Sequence, residues 1–453
     1  MSILSKQIGW SQESNLLWEL LKKTDYLTKV TGTIANPVVN VTVGGQFSYA
    51  DGWGLDAFGR LRISDEYTLG DYKNIYGIDP NFLQKVANGG TVTYQANQAC
   101  ARLATTTSSN SSAIHQTKFY HQYMPGKSQL IYTTFNFYAA NTGVTKRTGY
   151  FDEDNGVYFE QAGDGTLSFC VRTYTSGSPS DASKVSQASW NVDKCDGTGA
   201  SGFNLDITKT QILFIDLQWL GVGRVRIGFV YNGLPIIAHE FEHSNLLPVV
   251  YMSNPNLPIR CEIVSSGSNP AAYFDQICST VISEGGYVES GQDWSAQNTT
   301  LRSLASGATL PLFAIRLKDS FNSYDNRMVV RLDNFNIFST KEPLVYQLIK
   351  LPNAAALTTA SAWVDAYTNR SGVEYNVGAT THTDGEILAS GYVPASASGK
   401  EGIANNANPS AAKKNFIVQN YDSTDSEIYV INVTNVGTTT TTAGAAMQWR
   451  EIY

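Results

Sequence analysis

The chain has 453 residues, a formal net charge of −7 and only 16% charged residues, against 38 glycines and 25 tyrosines. That length calls for two or three domains, each able to bury its own core. The acidic balance and scattered Lys and Arg leave no basic footprint for nucleic acid, and no run approaches the ~20 apolar residues of a membrane span.

The first predicted element is an amphipathic helix over residues 11–30, SQESNLLWELLKKTDYLTKV. Ser11 suits the N-cap, and Glu13 sits near the positive end of the helix dipole. Leu17, Leu20, Thr24 and Leu27 follow the 3-4-3 spacing of a coiled-coil seam, and Leu16, Leu21 and Val30 widen the stripe. Isolated helices below about 12–15 residues are marginal in water, and this one is only slightly longer, so packing must supply most of its stability. Leu16, Leu17, Leu20, Leu21, Thr24 and Leu27 are therefore the candidate assembly contacts. Their cover is a neighbouring subunit, a socket in a larger assembly, or the chain's own β domain. The stretch from Gly32 to Gly45, with Pro37 and alternating valines, reads as an extended arm.

From about Phe47 to Lys350 strand signals dominate. Val225, Ile227 and Phe229 alternate with Arg224, Arg226 and Gly228, and Asn232-Gly233 then marks a two-residue hairpin turn. Asp154-Asn-Gly156 before Val157-Tyr-Phe159 predicts a second hairpin. Further strands are expected at Gln129–Tyr138, Gln211–Trp219, Leu312–Lys318 and Met328–Phe338. Pro352–Ala360 reads as a linker or short helical turn. A second β unit follows, with strands at Gly372–Val377, Gly385–Val393, Asn415–Gln419 and Ile428–Val436. The expected fold is all-β: a central antiparallel, jelly-roll-like sandwich and a smaller C-terminal β-sandwich, preceded by the short helix. The expected boundaries are 1–45 for helix and arm, 46–350 for the body and 351–453 for the C-terminal domain.

Three segments invite a chemical reading. His239-Glu-Phe-Glu-His243 matches the H-E-x-x-H zinc-protease pattern, which works only when a helix puts both imidazoles on one face. Here it follows a hairpin and Leu234-Pro-Ile-Ile-Ala238, so a strand is expected, with the two imidazoles about 13 Å apart. Asp193, Asp196 and Asp206 could gather around Ca²⁺, but their spacing departs from the EF-hand loop, and ordered Asx and Gly turns are expected instead. Asp152, Glu153 and Asp154 read the same way. Gly221-Val-Gly223 is too short for a dinucleotide fingerprint and leads into a strand. Cys100, Cys170, Cys195, Cys261 and Cys278 form no CxxC pair and suit buried free thiols of a protein made in a reducing cytosol. The N-terminus shows no basic region followed by an apolar stretch, so no secretory leader is expected. With five histidines and no catalytic context for any of them, the expectation is a non-enzymatic protein without metal or cofactor. The tyrosines and eight tryptophans suit core packing, subunit contact or stacking on sugar rings.

Three stretches carry a family resemblance: Ile8-Gly-Trp-Ser-Gln-Glu-Ser-Asn-Leu-Leu-Trp18, Gly54-Leu-Asp-Ala-Phe-Gly-Arg-Leu-Arg-Ile-Ser64, and Trp190 through Gly223-Arg-Val-Arg-Ile-Gly228. Over roughly residues 1–290 the chain resembles virion structural proteins of tailed bacteriophages, with similar proteins in large algal viruses. The resemblance implies a fibre-like or capsid-associated particle component, made in the host cytoplasm, whose partners are other virion proteins. It brings no catalytic motif. The seam leucines add the expectation of a homotrimer. The alternative is a receptor protein whose C-terminal β domain binds host-surface glycans; a virion-associated depolymerase or zinc protease is a further alternative.

Overall fold

Short runs of alternating apolar residues, closed by Asn- and Gly-rich turns, carry this chain into antiparallel strands wherever it is described. The computed structural model describes residues 40–41, 47–48, 56, 65–395, 402–406 and 416–452, with side chains at 56, 65–395 and 416–452. The helix expected over 11–30, and with it Leu16, Leu17, Leu20, Leu21, Thr24 and Leu27, lies outside the described residues. Helix among the described residues is limited to three single 3-10 turns, and no described helix is long and apolar enough to cross a membrane.

The first sandwich takes its strands in chain order: β1 (Glu66–Lys73), β2 (Phe82–Ala87), β3 (Thr91–Gln95), β4 (Cys100–Thr105), β5 (Ser112–Thr117), β6 (Ser128–Asn136), β7 (Val144–Phe151) and β8 (Gly156–Gln161). β9 (Leu167–Arg172), β10 (Val185–Ser186), β11 (Gln211–Leu217), β12 (Val225–Tyr231), β13 (Leu234–Phe241), β14 (Ile259–Ser265) and β15 (Ala272–Glu284) complete it. One sheet runs β10-β9-β8-β7-β14-β5-β2 and the other β13-β12-β11-β6-β15-β4-β3, with β1 also on β15. The long β15 takes β4 along its first half and β1 along its second.

Aromatic side chains join the two sheets. Phe159 of one sheet lies 5.2–5.8 Å, ring centre to ring centre, from Phe135, Phe137 and Phe229 of the other layer, and 5.4 Å from Phe169 beside it. Each such ring pair contributes about 0.5–1.5 kcal/mol beyond the area it buries. The predicted hairpins form as their sequences require. Asn232 and Gly233, at φ 50° and 77°, occupy the left-handed region between β12 and β13, as a primed turn demands. Gly156 (φ 134°) closes the β7–β8 turn, where a Cβ would stand 2.2 Å from the Phe151 backbone.

The second sandwich begins well before residue 351. Its strands are β16 (Gln292–Gln297), β17 (Arg302–Leu304), β18 (Thr309–Leu317), β19 (Val329–Ser339), β20 (Leu344–Leu351), β21 (Val364–Asp365), β22 (Val373–Asn376) and β23 (Glu386–Val393). They continue with β24 (Gly402–Asn406), β25 (Phe416–Ile417), β26 (Ile428–Asn435) and β27 (Thr441–Ile452). One sheet is β16-β27-β19-β24, with β17 on β27 and β25 on β19; the other is β21-β22-β18-β26-β20-β23. The division expected at 350/351 is thus corrected to the segment between Glu284 and Gln292. β18 and β20 pair with β26, and β19 with β27, so residues 309–351 share one core with the last hundred. Within Pro352–Ala360, Ala354–Ala356 forms a 3-10 turn, capped by the Asn353 side chain accepting from Ala356 N at 3.1 Å, and Leu357–Thr359 is a short strand paired with Ala379–His382.

Side chains from both sandwiches meet across their junction. Lys118 and Lys350 bracket Glu427 at 3.2 and 2.9 Å. Phe119 and Phe416 meet edge to face at 5.3 Å. Arg331 pairs with Glu289 of the connecting segment. Tyr421 reaches out of the second sandwich, lies under the Arg260 guanidinium at 5.4 Å and donates its hydroxyl to Glu153 of the first.

A candidate binding groove between the sandwiches

None of the segments singled out from sequence as catalytic or metal-binding assembles into such a site. His239-Glu-Phe-Glu-His243 begins on strand β13, and its imidazoles serve different partners. His239 Nδ1 accepts from Asn191 N at 3.1 Å, and His243 Nδ1 donates to Gly223 O at 2.7 Å while its ring stacks on Tyr251 at 4.1 Å. Burial pulls His239 down to about 4. Asp193 accepts the backbone N–H groups of Cys195 and Ser201, Asp196 those of Thr198, and Asp206 those of Thr208. Each carboxylate closes its own turn, and no three potential ligands converge among the described residues. Cys100, Cys170, Cys195 and Cys261 are buried free thiols, and Cys278 is half-buried.

The acidic turn Asp152–Asp154 has a larger part. Asp152 Oδ1 accepts the N–H groups of Asp154 and Asn155 at 2.8 and 2.7 Å, which fixes the β7–β8 turn. Asn155, almost fully buried, then accepts from Tyr174 N at 3.3 Å and from Ser253 N at 2.9 Å, tying three loops of the first sandwich together. Burial raises the Asp152 carboxyl above its ordinary range. Asp154 is raised as well, by burial first and then by the charges of Asp152, Glu153 and Asp325.

Against this turn the second sandwich sets a small ribbon, Ser320–Phe321 paired with Tyr324–Asp325. Its tip residues Asn322 and Ser323 take φ 51° and 69°, again a primed turn. The Arg327 guanidinium pins the ribbon's base, donating to Asn420 O and Tyr421 O at 3.1 and 3.0 Å and covering the Tyr120 ring at 5.3 Å.

Two chambers open on the flanks of this ribbon. One of about 600 Å³ is lined by the 152–155 turn, Tyr174, Ser253, Tyr421 and Asp422. The other, about 380 Å³, is lined by Tyr120, Asn256, Asn322, Asn326 and Met328 among others. Asn254, Tyr324, Asp325 and Arg327 line both, so the chambers form one groove with a shared wall. Both volumes lie within the about 300–1,000 Å³ of small-ligand sites. Tyrosine rings, carboxylates and amides line the two chambers together. Only the 152–154 turn was legible in advance. Tyr174, Tyr324, Arg327 and Tyr421 carry no local motif, and the one signal near them was the turn-forming Asn322-Ser323 pair.

No protein-family model and no curated protein matches the chain. Solved structures similar to it include the CBM2 module of the evolved Dit of Lactobacillus casei BL23 phage J-1, at 7% identity and TM-score 0.33, covering 49% of this chain and 99% of that one. A protein of unknown function from Shewanella oneidensis MR-1 is 8% identical at TM-score 0.32, covering 50% and 90% of the two chains. The exoplasmic/lumenal domain of VIP36 in its Ca²⁺/Man3GlcNAc-bound form is 12% identical at TM-score 0.27, covering 49% and 90%. At these scores the likenesses carry no argument about activity.

Proposed function

We propose that this chain is a non-enzymatic structural component of a tailed-phage virion, an oligomeric fibre, spike or decoration protein that contacts host-surface saccharide through the groove between its sandwiches. One observation carries the reading: two β-sandwiches clamped by ion pairs and rings hold Tyr174 and Tyr324 at a groove of carboxylates and amides. Rings of this kind stack on the C–H faces of sugars, and planar polar groups bond their hydroxyls. The resemblance of residues 8–18, 54–64 and 190–228 to virion proteins supports the particle assignment, and the coiled-coil spacing of Leu17, Leu20, Thr24 and Leu27 supports a trimer. The contact is placed in the groove and not in the C-terminal region alone, because the first sandwich contributes half the lining.

Imaging of particles that carry a labelled copy tests the first half; absence of the label from purified virions overturns it. A glycan array tests the second. Binding must fall when either Tyr174 or Tyr324 becomes Ala, and an array on which neither change matters removes the groove from the reading. Release of reducing ends from a bound polymer would make the protein a depolymerase, with Asp154 the first carboxylate to replace.

A further inference from the structure

The two chambers share a wall instead of ending separately, and that geometry says something about ligand shape. Tyr324 is 75% exposed, on a ribbon that stands between the chambers. A single sugar would fill one chamber and leave the other empty. A chain of sugars laid over the ribbon would use both, with Tyr324 beneath the linkage between them.

The lining also has a definite charge. The larger chamber presents Asp152, Glu153, Asp154, Asp325 and Asp422 against a single lining cation, Arg327. Arg327 is itself spent on two backbone carbonyls, the Tyr120 ring and Asp325, whose carboxylate lies 3.5 Å away. Of the nearby cations, Lys85 is paired with Asp422 at 2.5 Å and Arg260 lies 3.4 Å from Glu153, which with Arg327 leaves five carboxylates against three cations along this wall. Like charges brought together in a partly dry groove repel, which is a means of rejecting wrong ligands. The smaller chamber carries one carboxylate, Asp325, and five amides: Gln122, Asn254, Asn256, Asn322 and Asn326. Amides offer both donor and acceptor, as an array of hydroxyls requires, whereas a basic peptide would ask for carboxylates along the whole groove.

We propose, building on the saccharide reading above, that the groove takes a linear, non-anionic saccharide chain that crosses the 320–325 ribbon, with neutral or amino sugars on both sides of Tyr324. Chains bearing uronic or sialic acids are excluded by the carboxylates of the larger chamber.

The test is an array of neutral, amino and uronate oligosaccharides on the full-length protein, followed by calorimetric titration with a mono- to hexasaccharide ladder of the best binder. Affinity should rise by about tenfold or more from monomer to tetramer, which is about 1.4 kcal/mol. Tyr324→Ala, a change at a ring 75% exposed and outside the core, should remove that gain, so that the tetramer binds no more tightly than the monomer. Asp154→Asn with Asp325→Asn should admit uronates that the unchanged protein rejects. Length-independent affinity, or uronates bound as tightly as neutral chains, overturns this inference and leaves the saccharide reading standing. Binding to no sugar of any class removes both. Displacement of the bound chain by oligolysine, with oligolysine the tighter ligand, would make the groove a peptide site and overturn the inference as well.

Discussion

Acidification should destabilise this protein through its buried histidines, and His115 is the one with the largest share. It lies on β5 between Gln84 of β2 and Cys261 of β14, fully buried, with its ring stacked face to face on Phe82 at 4.0 Å. Neither ring nitrogen has a hydrogen-bond partner, and burial alone pulls its pKa from 6.5 down to about 3. The fold therefore favours the neutral ring. Between pH 6.5 and 3 the unfolded chain binds a proton here that the folded protein refuses. The stabilisation is complete above 6.5 and is lost as the pH falls. At pH 4.5, two units below the unfolded value, the loss from this one group is about 3 kcal/mol, from about 1.4 kcal/mol per unit. Urea denaturation at pH 7.5 and 4.5 measures it when the unchanged protein is compared with His115→Leu, because the other histidines contribute equally to both. The unchanged protein should lose about 2–3 kcal/mol more on acidification than the variant. Equal losses in the two proteins, or an NMR titration of His115 with a midpoint near 6.5, would refute the reasoning.

Tyr421→Ala removes the ring that the second sandwich buries against Arg260 and Glu153. It should cost about 3–5 kcal/mol, as other buried aromatic truncations do, and split a single calorimetric transition into two; one unshifted transition would show that the ring does not couple the sandwiches. Gly156→Ala forces a Cβ to within 2.2 Å of the Phe151 backbone at φ 134°, and a loss of about 2 kcal/mol or more is expected, read from the urea midpoint. Leu20→Asp combined with Leu27→Asp should abolish oligomerisation while far-UV circular dichroism keeps its β signal; light scattering showing unchanged mass would remove the helix from assembly.

The strands were legible where both signals of a strand were local. Val225, Ile227 and Phe229 alternate into the core as their spacing required, and Asn232-Gly233 turns the chain where its conformational freedom allows. The same alternation hid the fate of Arg226. It is fully buried, and its Nε donates at 2.7 Å to the Asp216 carboxylate on the facing strand. A partner across a sheet is set by register, and register cannot be read from one strand. The zinc-like motif begins on a strand for a local reason: it follows the Asn232-Gly233 hairpin turn.

Domain division and the groove were of the other kind. Met328–Phe338 was recognised as a strand, yet its neighbour is Thr441–Ile452, more than a hundred residues away. Nothing in either segment announces the other, so the boundary was set about sixty residues too late, where a Pro-containing turn imitated a linker. The groove gathers the 152–155 turn, Tyr174, Asn254, the 320–325 ribbon and Tyr421, which are brought together only when two sandwiches dock. Sequence alone determined the all-β character, the hairpin turns and the roles of the local carboxylates, because periodicity, glycine freedom and Asx geometry act within a few residues. Tertiary structure alone decided which strands share a core and which tyrosines share a groove, because those depend on pairing across long loops.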